Sequence, residues 1–496
     1  MDSPIFEQIL AVAPLDHKSE RPVYLQLADI ILAAIKKGKL RPEQKLPGTR
    51  ELSALFRINR LTASKAYEEL QTQGWLESFV GRGTFVPAHI PEHAPQTLNS
   101  NLAATSRETA GFSILQLDYL DKKVSLVSTG LHLDDGFPDP RLAPLKELYR
   151  AYRSQLTRNG LYQRFGSYSH PGGPDYYKEA LSAYLNDSRG LKTTANNILS
   201  VKGTVMGVNL VCNGLIKAGD IVVSGIPGWN RAQNNFIHAR AEHIGIPVDE
   251  HGLVVDELKK ICRKKKVRLV YVTPHHHYPT TVSLRIDRRL ELLRLSNEYG
   301  FIIFEDDYDY DFHYKQRPLL PLASADENGM VIYCGSFSKS FSPAFRMGYL
   351  AAPQNVIEHL ATVRMLLDRQ GDHILDNAMA ELLNDGTIQR YLRKTLVIYK
   401  ERRDYFCKLL HKEMNDVIDF DIPEGGMTVW AKFASCIDLE KVAEAALKKG
   451  LYISNGKAHC YPDFNPNAVR LGFASSSKEQ LAASIEILKR VITTYR

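Results

Sequence analysis

Two short, unbroken apolar runs, each ending in charge, constrain this chain most. Phe301-Ile302-Ile303-Phe304 gives way at once to Glu305-Asp306-Asp307-Tyr308-Asp309. Val331-Ile332-Tyr333 leads through Cys334-Gly335-Ser336-Phe337-Ser338 to Lys339, and Met347-Gly348-Tyr349-Leu350 resumes the apolar pattern. A strand that is apolar at every position has both faces covered, as parallel strands of α/β sheets do. Acidic residues at the carboxyl end of such a strand fall where open α/β sheets bind ligands.

A lysine at the end of a buried strand can condense its ε-amine with a carbonyl group. Ser336 and Arg346 flank Lys339 with a hydroxyl and a fixed cation, which suit a phosphate. Taken alone, these residues fit a solvated surface loop equally well. A pyridinium nitrogen needs a carboxylate beside it to stay protonated, and the acidic run offers one. A solvated acidic turn and a divalent-metal cluster are the alternatives, although a magnesium site leaves the distant lysine unexplained. A tyrosine two residues beyond a carboxylate returns to the same side of the strand.

The acidic run and Ser336-Phe337-Ser338-Lys339 together resemble the fold-type I aminotransferase superfamily, and within it the MocR subfamily of GntR-type bacterial transcription regulators. The resemblance runs from about Pro22 to the end of the chain. It implies pyridoxal 5'-phosphate as cofactor, with Lys339 as the catalytic Schiff-base lysine, Asp306 on the pyridine nitrogen and Tyr308 on the ring oxygen. Ser336 and Arg346 then hold the phosphate. Gly203, Thr204 and Val205 open a helix after Leu199-Ser200-Val201, where backbone N–H groups favour an anion, although a glycine there also serves as a simple turn. The resemblance stacks Trp229 on the ring; by itself, a tryptophan after the strand Ile221-Val222-Val223 reads as core. It places Tyr278 where aminotransferases use asparagine on the ring oxygen, and Thr281 where glycine is usual. The preceding His275, His276 and His277 are consecutive and cannot all face one centre, and no Cys or carboxylate sits at ligand spacing, so no metal is expected. Tyr168 lies in a segment resembling one that crosses a dimer interface to the partner's phosphate. Arg470 matches an arginine that grips a substrate carboxylate, with a structural ion pair as the alternative.

The N-terminal part has a different pattern. Val23, Leu27, Ile30, Ile31, Ala34 and Ile35 recur at helical spacing, and Gly38 and Pro42 end that helix. Thr49 is placed to cap a second helix, and Asn59 a third with Ala63, Ala66, Tyr67 and Leu70 on its buried face. Two helices joined by a short turn make a helix-turn-helix, and Trp75 to Val86 around Gly81-Arg82-Gly83 reads as a β-hairpin wing. Between Lys36 and Lys65 stand nine basic residues and two acidic ones, a field suited to a polyanion. The order of these residues is similar to the GntR winged helix-turn-helix, which implies double-stranded DNA as partner, contacted by Arg50, Asn59, Arg60, Thr62, Ser64, Lys65, Gly81 and Arg82. Leu61 stands where the family often has a small polar residue. A three-helix protein-binding module is the alternative.

At 496 residues the chain is too long for one core. The expected division is a winged module over residues 20–88, a flexible linker over 89–116 rich in Pro, Ala, Ser and Thr, and an α/β domain over 117–496. That domain is expected to be a mostly parallel sheet with helices on both faces and a smaller lobe from about 411. Six scattered cysteines, no signal-peptide layout and no membrane-length apolar run suggest a cytoplasmic protein. The expected function is transcription regulation in response to an amine, an amino acid or the cofactor itself, by a homodimer. A working aminotransferase with a DNA-binding appendage is the alternative.

Overall fold

The computed structural model describes residues 15–90, 108–120, 130–157, 166–314 and 319–495. The chain forms two compact units, Met1–Ile114 and Leu115–Arg496. Most of the expected linker lies outside the described residues.

In the first unit, helices Val23–Lys36, Thr49–Leu55 and Arg60–Thr72 precede a hairpin of Glu77–Phe79 and Gly83–Phe85. Leu27, Ile31, Leu52, Ala63, Tyr67 and Leu70 are buried together, the face that helical spacing marks as apolar. The Tyr67 hydroxyl donates to the Pro47 carbonyl at 2.8 Å and ties the third helix to the turn before the second. Asn59 caps the third helix, its side chain accepting from the Leu61 N–H. Thr49 does not cap the second: Gly48 takes that position with extended backbone, and Thr49 is the first helical residue. The Thr49 hydroxyl instead accepts from Arg60 Nε at 3.4 Å.

The second unit is built on an eight-stranded sheet. Its order is Ile198–Val201, Gly348–Ala351, Val331–Ser336, Ile302–Asp307, Val267–Val272, Ile221–Ile226, Glu242–Asp249 and Gly252–Leu253. The central pairings are parallel; Gly348–Ala351 runs against both neighbours, and Gly252–Leu253 against Glu242–Asp249. Side chains alternate between faces along each strand. Val222, Leu269, Phe304 and Ile332 pack under helices Thr204–Leu215, Asn230–His238 and Gln354–Arg364. Val223, Val270, Ile303 and Val331 pack under Val255–Cys262 and Ile286–Tyr299 on the opposite face. Helices therefore cover both faces, which explains strands that are apolar throughout.

The smaller lobe holds an antiparallel sheet of Ile418–Asp419, Thr428–Phe433 and Ala468–Gly472. A strand far upstream, Leu131–Leu133, pairs in parallel with Leu451–Ile453 of this lobe. That pairing brings the loop at residues 134–137 to the sheet's ligand-binding end. No helix among the described residues is long and apolar enough to cross a membrane.

Candidate functional site

A cavity of about 530 Å³ opens at the carboxyl ends of the central strands, where a doubly covered sheet leaves room for a ligand. Its walls include Lys339, Asp306, Tyr308, Trp229, Tyr278, Thr204, Val205, Ser336, Arg346 and Arg470. Residues spread over more than 260 positions of sequence are thus brought to one cavity. Gly203 caps the helix whose first residues form the wall. Tyr168 is not among them: it is 70% exposed and lies under the Arg369 guanidinium at 4.2 Å.

Strand alternation sorts the acidic run. Asp306 shares a face with Phe304 and lines the cavity, whereas Glu305 and Asp307 point to the opposite face. Glu305 accepts from the Leu322 and Ala323 N–H groups. Asp307 accepts from the Tyr333 hydroxyl at 2.6 Å and lies 3.3 Å from His275 Nδ1; burial pulls its pKa up, and its contacts with His275, Arg189 and Tyr333 together outweigh that pull and hold it at about 2. Asp309 meets His276 Nδ1 at 2.8 Å. Among the described residues no cation forms an ion pair with Asp306; Tyr271 donates to it at 2.6 Å and Thr204 at 3.3 Å. Burial raises its pKa to about 7, with the Tyr271 hydrogen bond opposing.

This predicts a pH-dependent effect of Asp306→Asn. The folded value lies above that of a solvated carboxyl, so ionisation of Asp306 disfavours the fold. The penalty is absent below about pH 4, grows towards pH 7 and is complete above it, on the order of 4 kcal/mol. Cofactor-free Asp306→Asn should therefore unfold at higher denaturant than the parent at pH 8, with a smaller gap at pH 5. An equal gap at both values would show that Asp306 does not titrate in this range.

Lys339 sits in the short helix Phe337–Ser340, directly after its strand. Its ammonium donates to the Gly136 carbonyl at 2.6 Å and the Asp135 carbonyl at 3.2 Å, over the Phe137 ring at 4.4 Å. Burial lowers its pKa, with Asp135 opposing. The Tyr308 hydroxyl donates to the His276 carbonyl at 2.9 Å. Tyr278 donates to Asp135 Oδ2 at 3.2 Å.

The other end of the cavity is a cradle for an anion. Helix Thr204–Leu215 begins there with no side chain capping it, which leaves backbone N–H groups for a ligand. Arg346, in left-handed backbone at φ 52°, donates to the Lys202 carbonyl at 2.8 Å and lies by Ser338 Oγ at 3.5 Å. Gly203 has φ 80°, backbone that favours glycine, and a Cβ there would stand 2.9 Å from Arg346 Nη2. A buried carboxyl held by two hydroxyls, a lysine and a helix start beside Arg346 fit the ring nitrogen, carbonyl and phosphate of pyridoxal phosphate in charge and chemistry.

Arg470 makes an ion pair, the arrangement given as the alternative to a substrate carboxylate. It is 3% exposed, and Nε donates to Asp135 Oδ1 at 2.6 Å; Nη1 donates to the Pro279 carbonyl at 3.1 Å. Thr281, expected at a glycine position, does hold positive φ, 64°. The three consecutive histidines face different partners: Leu319 and Asp307, Asp309, and Thr280. Among the described residues no group of three His, Cys, Asp or Glu is placed for a metal.

Sequence reading missed Asp135, Phe137, Tyr271, Arg231, Ser338 and Pro343 in the wall. Tyr271 carried a usable signal, a polar hydroxyl inside an apolar parallel strand. Asp135 carried none, because it arrives through the pairing of Leu131–Leu133 with a strand over 300 residues downstream.

In the first unit Arg50, Asn59, Arg60, Lys65, Gly81 and Arg82 are exposed, and Thr62 and Ser64 half-buried. Arg60, Thr62, Ser64 and Lys65 occupy the first turns of the third helix. Gly81, at φ 76°, turns the hairpin between Phe79 and Arg82. Leu61 is 64% exposed on the same helix start.

Residues 138–488 match the family model for aminotransferase class I and II, and residues 23–86 that for bacterial regulatory proteins of the gntR family. The chain is 29% identical over 474 residues to the HTH-type transcriptional regulator YdfD of Bacillus subtilis, covering 94% of this chain and 95% of that one. It is 26% identical over 479 residues to the probable rhizopine catabolism regulatory protein MocR of Rhizobium meliloti, covering 96% and 94%. Among solved structures, the Pyrococcus horikoshii kynurenine aminotransferase in complex with PMP is 26% identical, with a TM-score of 0.66, covering 73% of this chain and 91% of that one.

Proposed function

The chain belongs to the aminotransferase class I and II family and carries a gntR-type regulatory module ahead of it, and from that premise we propose that it is a transcription regulator whose large domain holds pyridoxal 5'-phosphate and senses a small amine. A gntR-type helix-turn-helix implies DNA binding. The observation that carries the regulator reading is the exposed basic helix start and wing, Arg50, Arg60, Lys65 and Arg82, which no transamination chemistry requires.

In this reading Lys339 takes the carbonyl carbon of the cofactor, Asp306 holds a proton at the ring nitrogen, and Tyr308 and Tyr278 serve the ring oxygen. Trp229 covers the ring face. Gly203, Thr204 and Val205, with Ser336 and Arg346, take the phosphate, and Tyr168 reaches the phosphate of a second copy in a homodimer. When bound, the cofactor supplies an electrophilic carbon for an amine and an electron-withdrawing ring. Burial, by lowering the Lys339 pKa, raises the share of neutral amine able to react. An amine that binds two states of the protein unequally changes DNA affinity, and DNA changes amine affinity by the same factor.

The test is DNA affinity measured with and without cofactor, and then with amines added. A change on adding amine supports the regulator reading; steady amino-acid/keto-acid turnover with DNA affinity unaffected would favour the enzyme reading, which the intact cavity leaves open. A change on adding cofactor alone would make the cofactor itself the signal. On the DNA side, Arg60→Ala should lose roughly 1–3 kcal/mol of specific binding if Arg60 reads a guanine edge. An equal loss on random DNA identifies a phosphate contact, and no loss on either removes this helix as the reader.

A further inference from the structure

The loop at residues 134–137 is locked in place. The buried Asp134 carboxylate accepts from the Gly136 N–H at 2.8 Å, the Phe137 N–H at 2.9 Å and Ser475 Oγ at 2.7 Å. Gly136 has φ 76°, and a Cβ there would lie 2.6 Å from Thr428 Cγ2. On this fixed backbone, Asp135 extends its carboxylate to Arg470 Nε at 2.6 Å and the Tyr278 hydroxyl at 3.2 Å. The Asp135 and Gly136 carbonyls, on successive peptide units of this loop, receive the Lys339 ammonium. The chain's own carboxylate therefore takes one edge of the Arg470 guanidinium, the cation that family resemblance assigns to the carboxylate of an amino acid at Lys339.

We infer that Asp135 makes this pocket selective for primary amines that lack a carboxylate on the amine-bearing carbon. The inference rests on the cofactor-bound reading above and deepens it by naming the ligand class. An α-carboxylate must displace Asp135 or share one guanidinium with it. Displacement is opposed because Asp135 is tethered at a high effective concentration. Sharing sets two anions against one buried cation, an arrangement that rejects the wrong ligand by repulsion. A decarboxylated amine leaves the Asp135–Arg470 pair intact and finds apolar wall at Phe137 and Trp229. Arg470 stays charged: burial opposes the charge, but Tyr308, Asp135, Tyr278 and Asp309 together outweigh it and raise its pKa.

The experiment uses the full-length protein reconstituted with pyridoxal phosphate. Paired probes, tyramine with L-tyrosine and putrescine with L-ornithine, are titrated against cofactor absorbance and the thermal unfolding midpoint. Each amine should reach its half-maximal effect at a concentration about tenfold or more below that of its amino acid. In Asp135→Ala the ratio should move by about tenfold or more towards the amino acid. Asp135→Asn keeps the volume and removes the charge; it should move the ratio in the same direction and carries the test if the alanine variant does not fold. Amino acids acting at equal or lower concentration than amines in the parent, or a ratio unchanged in the variants, would overturn the inference while leaving the cofactor reading intact. Absence of cofactor absorbance in the parent would overturn that reading and this inference with it.

Discussion

Lys339→Ala should abolish borohydride-trapped pyridoxal phosphate on the peptide carrying residue 339 and remove the yellow absorbance of the purified protein. The Lys339 amine is held in the cavity wall by the Gly136 and Asp135 carbonyls, and burial favours its neutral, nucleophilic form. Arg346, Ser336 and the start of helix Thr204–Leu215 remain in the variant, so phosphate affinity should persist without the covalent bond. The expected result is complete loss of the trapped adduct with weak reversible binding retained. Trapping at a different lysine would refute the assignment of Lys339, and with it the roles given to Asp306 and Tyr308.

Removal of residues before about 116 should eliminate DNA binding and leave cofactor binding and a homodimer. Each unit has its own core. That of the first runs from Leu27 to Val86, and the sheet cores of the second draw on Leu199 onward. A single winged module covers little DNA, so two modules on paired half-sites are the usual arrangement. If the large domains hold the dimer, the truncated protein sediments as a dimer, binds cofactor with the affinity of the full chain and shifts no DNA. Sedimentation as a monomer would move the dimer contact to the winged module.

Much of this architecture was legible because it depends on local pattern. Unbroken apolar runs signalled strands covered on both faces, and Val331–Ser336, Ile302–Asp307, Val267–Val272 and Ile221–Ile226 lie side by side in the sheet, each buried along most of its length. Helical spacing in the first unit marked Ala63, Ala66, Tyr67 and Leu70, all of which are buried. Asn59 caps because its short side chain reaches the second N–H group of the helix it precedes. Thr49 failed the same expectation because the Pro47-Gly48 turn hands the cap position to Gly48, one residue earlier.

The sequence by itself determined the strands with unbroken apolar runs and the three helices of the first unit, since period and caps act over a few residues. It also placed a lysine and a carboxylate at strand ends, and Asp306 was chosen from its acidic run only by family resemblance. The tertiary structure decided the rest. Parallel pairing of Ile302–Asp307 with its neighbours turned Asp306 to the cavity and gave Glu305, Asp307 and Asp309 partners elsewhere. The long-range pairing of Leu131–Leu133 with Leu451–Ile453 carried Asp135 onto Arg470. Electrostatic contact depends on distance in space, and no local periodicity encodes an approach between residues 335 positions apart.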